Sequence, residues 1–434
     1  MVENYGTDGS VPSANATVRS GGTVAVSAAF ETTAGLVGNY NASEGTATGG
    51  EVTTVTSSSE AATAFGEGSE LARQADLAFA NGAGTVYAAP VAESTTTETL
   101  TGTASAVLSN VPVFDPRVAE EHEVVVTDTT EGAEVNVTFV DTTPTQPTEA
   151  NTANLNPSTG EIEFDESSDY DVEYSHGDYE AAIKEVVSFV PRSVGVCTES
   201  TSVSNDVLAE LNSYDVDFQF SHAYVGENVD LDDLQNYDNS YDDRRLVAVS
   251  AARGYIDEAE TTEVRTVGAV AGKQASKELG DTTTAEDLDG LVGLKQSPSN
   301  TQAGTLIDNG VYPLQQSGAV KVVKDVTTSE DPRFSRVAWS EIVDEATEIS
   351  HQISESFIGS ANTAENRLLL AESHRSSYDE MEDDNLLDAY FVSVSEGADP
   401  NTVDLQIGLD VVDYMDTIDV TITVGDVVLN RGAA

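Results

Sequence analysis

The run GAVAGKQAS, Gly268 to Ser276, places glycines, a lysine and a hydroxyl in the order that a phosphate-binding loop uses. Such a loop needs four residues between its glycines and a Ser or Thr directly after the lysine. Here three residues separate Gly268 from Gly272, and Gln274 follows Lys273, so the spacing argues against nucleotide binding. A second candidate is the acidic run Asp230, Asp232, Asp233, Asp238, Asp242 and Asp243. A calcium loop of the EF-hand type requires glycine at its sixth position. Counting from Asp230, that position holds Gln235, so the run reads as a solvated acidic face with at most weak cation binding. The five histidines, His122, His176, His222, His351 and His374, never pair at a metal-ligand spacing such as HExxH. Cys197 is the single cysteine, which rules out an internal disulfide, and its apolar setting SVGVCTES reads as a small buried residue. No catalytic, cofactor or metal site is assigned on this basis, and an enzyme is not expected.

The elements that would have to position any site are set by composition. The 434 residues are enough for two to four domains with a sizeable core. Seventy-six Asp and Glu against 19 Lys and Arg give a net charge of −57, spread along the chain and not gathered in a tail. With 39% hydrophobic residues the chain is not of the disordered class, which combines charge with low hydrophobicity. Self-repulsion of this size is relieved by molar salt, which screens over about 3 Å, and points to a hypersaline milieu. No basic stripe exists to contact phosphates, so direct nucleic-acid binding is not expected. The N-terminal residues lack the basic start and apolar core of a secretory signal, and no apolar run approaches membrane-spanning length. Assembly in the cytoplasm is therefore expected, without stable membrane insertion. Sequons at Asn15, Asn41 and Asn136 read as chance triplets.

In chain order, residues 1–17 read as a polar arm, and Val24, Val26 and Ala28 alternate as a strand does. Leu36 to Gly38 is a short strand. Ser57 and Glu60 form a capping box ahead of a helix ending at Gly66; a second helix stops at Asn81 and Gly82, and TVYAAPV follows as a strand. Phe65 and Phe79 are the core anchors of this 18–91 block. From 92 to 175 the composition turns to Thr, Glu, Val and Pro. Three strands are predicted there, with TPTQPTEANTANLNPSTG as a long exposed loop, giving an inserted, surface-exposed, mainly β domain. An α/β pattern returns over 176–320, including a small-residue helix at Gly268 to Ala275 that invites close approach of another element. The stretch 321–434 opens with a helix whose Trp339, Ile342, Ala346, Ile349, Ile353 and Phe357 recur every three or four residues. A second helix follows, then strands with alternating Tyr390, Val392, Val394, then Val403 to Val411, then Val420, Ile422, Val424.

Three runs, in this order, resemble the contractile tail sheath family. The first is AGLVGNYNASEGTATGGEVTTVTSSSEAATAFGEGSELARQADLAFANGAGTVYAAPV. The second is VGAVAGKQASKELG with KQSPSNTQAG and NGVYPLQ. The third runs from VKVVKDVTT through RFSRVAW and the long helix to AYFVSVSEGADPN and VDLQIGLDVVDYMDTIDVTITV. The chain departs from the family pattern at TVYAAPV, where members often carry an Arg. It departs again at Lys324 to Thr328, which stands where a Gly-Ala-Arg-Thr run is usual, and in the insertion itself.

The resemblance implies an α/β multidomain fold: a sheath-like core of mixed sheet and helices formed by both chain ends, an α/β middle domain and an inserted all-β domain. It further implies a structural subunit of a virion tail that forms rings or a helical tube of identical copies. Its expected partners are an inner tail tube protein and the baseplate and tail terminator proteins, and its expected work is to contract and drive the tube through a host envelope for genome delivery. Val24 and Val26 at one end, and Val420, Ile422 and Val424 at the other, are the expected inter-subunit strands. With the acidic composition, the implied source is a myovirus of a halophilic archaeon. The sheath of a non-viral injection system is the alternative, and a halophilic surface-layer or adhesin protein a weaker one.

Overall fold

The computed structural model describes residues 32–118, 122–214, 220–234, 237 and 239–414. By internal contacts the chain divides into two compact units, 1–359 and 360–434. The division falls inside the 321–434 stretch that the sequence pattern groups together, so the Trp339 helix belongs to the first unit.

The first unit begins with β1 (Thr33–Gly38), β2 (Thr53–Val55), α1 (Ser58–Phe65), α2 (Glu70–Ala80) and β3 (Thr85–Pro90). Ser57 caps α1 by accepting from the Glu60 amide at 3.3 Å. The Glu60 carboxylate reaches one residue further back than a capping box requires, accepting from the Thr56 amide at 2.7 Å. After an inserted segment come α3 (Tyr179–Val187), β9 (Ser193–Val196), α4 (Thr201–Tyr214), β10 (His222–Gly226), β11 (Leu246–Val249) and β12 (Arg253–Tyr255). They continue into β13 (Glu263–Arg265), α5 (Val267–Ala275), β14 (Gly293–Leu294), α6 (Asn300–Asp308), β15 (Val311–Tyr312), β16 (Leu314–Ser317), β17 (Ala319–Val322) and α7 (Val337–Phe357). A complete capping box stands at the start of α6. Ser299 accepts from the Gln302 amide, Gln302 accepts from the Ser299 amide, and α6 follows.

Seven strands form the main sheet in the order β15-β11-β10-β9-β1-β3-β2. All neighbours are parallel except β2 on β3. Both faces are covered, as parallel sheets require. Val37, Val194, Val196, Ala223 and Val225 pack towards α3 and α4. Leu36 packs with α1 and α2 in a separate cluster. Tyr224, Val247 and Val249 pack with α5. The small residues of α5 are there for contact: a Cβ on Gly272 would lie 2.4 Å from the Ala78 carbonyl oxygen, and one on Gly268 2.5 Å from that of Gln74. The glycines of GAVAGKQAS therefore serve helix-to-helix approach, and the Gly268 amide donates to Gln74 Oε1 at 2.8 Å.

The inserted segment holds β4 (Ala92–Val107), β5 (Val125–Asp128), β6 (Ala133–Phe139), β7 (Thr152–Leu155) and β8 (Glu161–Asp178). Pairings β8–β5, β5–β6, β6–β7 and β7–β8 close a small barrel, and β4 adds to β8. Two of these strands escape the sequence reading. β4 is rich in Thr and Ser with few apolar residues, so its pattern is faint. β7 lies within the predicted long loop, where Ala153 and Leu155 are fully buried.

The second unit contains α8 (Ala364–Asp383), β18 (Leu387–Glu396) and β19 (Val403–Val411). Thr363 caps α8 by accepting from the Asn366 amide, and α8 buries Leu370, Ala371, His374, Tyr378 and Met381. The two strands pair antiparallel, from Leu387↔Val411 to Glu396↔Val403.

Candidate functional site

In a doubly wound sheet, ligands bind outside the carboxyl ends of the strands where the strand order reverses. Here that point lies between β1 and β9, because the chain leaves β1 toward β3 on one side and continues from β9 through β10 and β11 on the other. This crevice is the place to look for chemistry, and it is filled by the protein's own charges.

Glu70 stands in the first turn of α2, where the helix dipole favours a carboxylate. One of its oxygens accepts from the Asn39 amide at 3.0 Å, just past the end of β1, and the other pairs with Arg265. Arg265 Nε reaches Glu199 Oε1 at 3.1 Å. Glu199 in turn holds Arg253 through Nε at 3.0 Å and Nη2 at 2.6 Å. Arg253 Nη2 also lies 2.6 Å from Asp115 Oδ2, and Asp115 belongs to the insert. The five side chains alternate in sign, and all are buried. Burial works against the Asp115 charge, but Arg253 and Arg117 beside it hold its pKa at about 2. Burial likewise opposes the charge of Arg253, and Glu199 and Asp115 overcome it.

Such an arrangement has its acids and bases matched to one another, so its charges are consumed internally, although burial lowers the Arg265 guanidinium to about 9. Cys197 lies at the same crevice, fully buried, and burial pushes its thiol well up, the opposite of what a nucleophile needs. Among the described residues no group of three His, Cys, Asp or Glu side chains is arranged to hold a metal ion.

A second set of ion pairs fixes α7. Its Glu341 accepts from Arg192 Nε at 3.1 Å and Nη2 at 2.8 Å. One turn on, Asp344 Oδ1 lies 2.8 Å from Arg244 Nη1 and 3.2 Å from Arg245 Nη2. Ahead of the helix, Arg336 Nη2 donates to Asp325 at 2.6 Å. The buried side of α7 is thus an apolar row interleaved with acids. Ile342, Ala346, Ile349 and Ile353 are buried, while Trp339 and Phe357 are half-buried. Phe65 is fully buried in the cluster around α1 and α2, with Phe79 packed partly buried against it. Val24, Val26, Val420, Ile422 and Val424 lie outside the described residues.

The sequence reading missed Arg192, Arg245, Arg253, Arg265 and Arg336 as organising residues. The usable signal was scarcity. In a chain with only 19 Lys and Arg, an arginine set in a run such as LVAVSAARGY or TEVRTVGAV is placed where its charge is consumed internally.

Residues 173–328 match the family model for the phage tail sheath protein central domain. The contracted helical sheath of the anti-feeding prophage superposes with a TM-score of 0.59 at 12% identity, over 95% of this chain and 99% of that one. This chain has the tail-sheath fold. The sheath of the PVC extracellular contractile injection system, also contracted, gives a TM-score of 0.58 at 10% identity, over 95% of this chain and 98% of that one. The sheath tail protein Lin1278 of Listeria innocua gives 0.55 at 12% identity, over 89% and 93%. No curated protein matches the sequence.

Proposed function

We propose that this chain is the structural subunit of a contractile sheath, in an injection particle or a phage-type tail, and that it works by assembly and not by catalysis. The observation that carries this reading is likeness along nearly the whole of a sheath subunit, 95% of this chain against 99% of the anti-feeding prophage sheath, joined to the central-domain match. Copies stack into rings or a helical tube around an inner tube and above a baseplate. The β18–β19 sheet gains strands from neighbouring copies, contributed by the segments around Val24 and Val26 and around Val420, Ile422 and Val424. Contraction repacks subunit interfaces between two states, and the free energy comes from assembly.

The source is the finer part of the proposal. A net charge of −57 favours assembly in concentrated salt, which fits a tailed virus of a halophilic archaeon and a virion-borne protein. Likeness to the sheaths of the anti-feeding prophage and of an extracellular contractile injection system favours a non-viral injection particle more strongly. Electron microscopy of the native particle in molar salt separates them: striated tubes with DNA-filled heads support the virus, and headless tubes the injection system. Removing residues Asp419 to Ala434 is expected to abolish ordered tubes while the first unit keeps its melting temperature. Normal tubes from that truncation overturn the strand-donation role, and a chain that never polymerises in molar salt with tube and baseplate present overturns the function itself.

A further inference from the structure

The barrel inserted at 92–178 meets the switch-point crevice through two of its own loops, and each brings an acid. The segment 108–118, between β4 and β5, seats Phe114 in the apolar cluster of Val37, Ala89, Val91 and Tyr179. The next residue, Asp115, is 1% exposed. Its Oδ2 takes Arg253 Nη2 at 2.6 Å and Arg117 Nη2 at 2.7 Å, and its Oδ1 takes Arg117 Nε and the Arg117 amide, both at 3.0 Å. The second loop follows β6. There Asp141 Oδ1 takes Arg117 Nη2 at 2.7 Å and lies 3.5 Å from Arg253 Nη2. Its Oδ2 lies 3.1 Å from Lys295 Nζ.

We infer that Asp115, supported by Asp141, is an internal anion that straps the inserted barrel to the α/β core. It occupies the mouth of a crevice where folds of this class otherwise hold an anionic ligand. Arg253 is the shared partner. One guanidinium holds Glu199 of the core and Asp115 of the insert, so the two parts are joined through a shared charge. Arg117 has a positioning role, since its backbone amide and side chain orient the Asp115 carboxylate that Arg253 receives. The strap makes insert and core one body. This inference rests on local geometry and is independent of the assembly function.

The test is hydrogen–deuterium exchange on the full chain carrying Asp115→Ala. Amides in 92–178 should exchange about tenfold faster or more, while those in β9, β10 and β11 stay near their native rates, because a local opening has been made easier. Added formate, a carboxylate small enough to replace the missing side chain, should restore protection; sodium chloride at equal ionic strength should not. Unchanged exchange in the insert, equal acceleration in β9 to β11, or equal rescue by chloride each overturns the proposal. If Asp115→Ala fails to fold, Asp141→Ala decides. It lies nearer the surface and should accelerate exchange in the insert by a smaller factor, and no acceleration there counts against the strap.

Discussion

The strands at the centre of the first unit and those of the second are built from similar residues, yet they end in opposite states. Every residue of β9, β10 and β11 is buried. No residue of β19 is fully buried, although Leu405, Ile407 and Leu409 alternate as regularly as any strand in the chain. Opposite it, Phe391 in β18 is 58% exposed. The central strands have a neighbour on each side and helices on each face; among the described residues the β18–β19 sheet has two strands, and an isolated pair is marginal in water. The first unit buries its central strands under its own residues, whereas among the described residues the β18–β19 sheet keeps much of its apolar surface exposed.

Substitutions in the two units should therefore differ in cost. The largest effect is expected from Asp344→Ala, which removes the carboxylate facing Arg244 and Arg245 beneath α7. Breaking a buried pair from one side costs about 3–5 kcal/mol, and urea unfolding of the first unit should read it. Asp410→Ala on exposed β19 should leave the same measurement unchanged. Next is Gly272→Val, which drives a Cβ into the Ala78 carbonyl at the α2–α5 contact and should cost about 2–3 kcal/mol. Its counterpart, Gly408→Val, is smaller and of opposite sign. A Cβ there meets only Phe391 Cβ at an ordinary 3.8 Å, so a better strand former should be neutral or stabilise by a few tenths of a kcal/mol. Equal losses from the two glycine variants would erase the distinction between the units.

The acids of the first unit respond to pH in two directions. Burial and then Glu348 raise Glu345 on α7 to about 7, and burial raises Glu227 to about 7. Acids raised above their unfolded values favour the fold fully below about pH 4.5, and that contribution is lost as pH rises through 7. Glu345→Gln should therefore raise thermal stability at pH 8 by about 1 kcal/mol, discounted for partial exposure, and change little at pH 4. Asp115 is depressed to about 2, so its contribution is present above about pH 4 and lost as pH falls toward 2. At the low end of the scale, Asp115→Asn should blunt the acid limb of the melting curve without altering the Glu345 window.

Much of this was legible in the sequence wherever the local side-chain pattern was strong. The α2 boundaries, the 3.6-residue row on α7 and the alternation in β18 and β19 needed no tertiary information, because side-chain period alone fixes which residues share a face. The Thr-rich β4 and the short β7 were not legible, since pairing with β8 stabilises them more than any pattern of their own. Nor was the capping box before α6, hidden among turn residues.

Composition and local pattern alone set the class of element along most of the chain and an overwhelming negative charge. Only the tertiary structure decided where the few cations go. Burying an arginine is tolerable only when carboxylates from distant parts of the chain converge on it. Glu70, Glu199 and Asp115 meet Arg265 and Arg253 at the switch point because the sheet order brings their loops to one edge, and no spacing along the chain encodes that meeting.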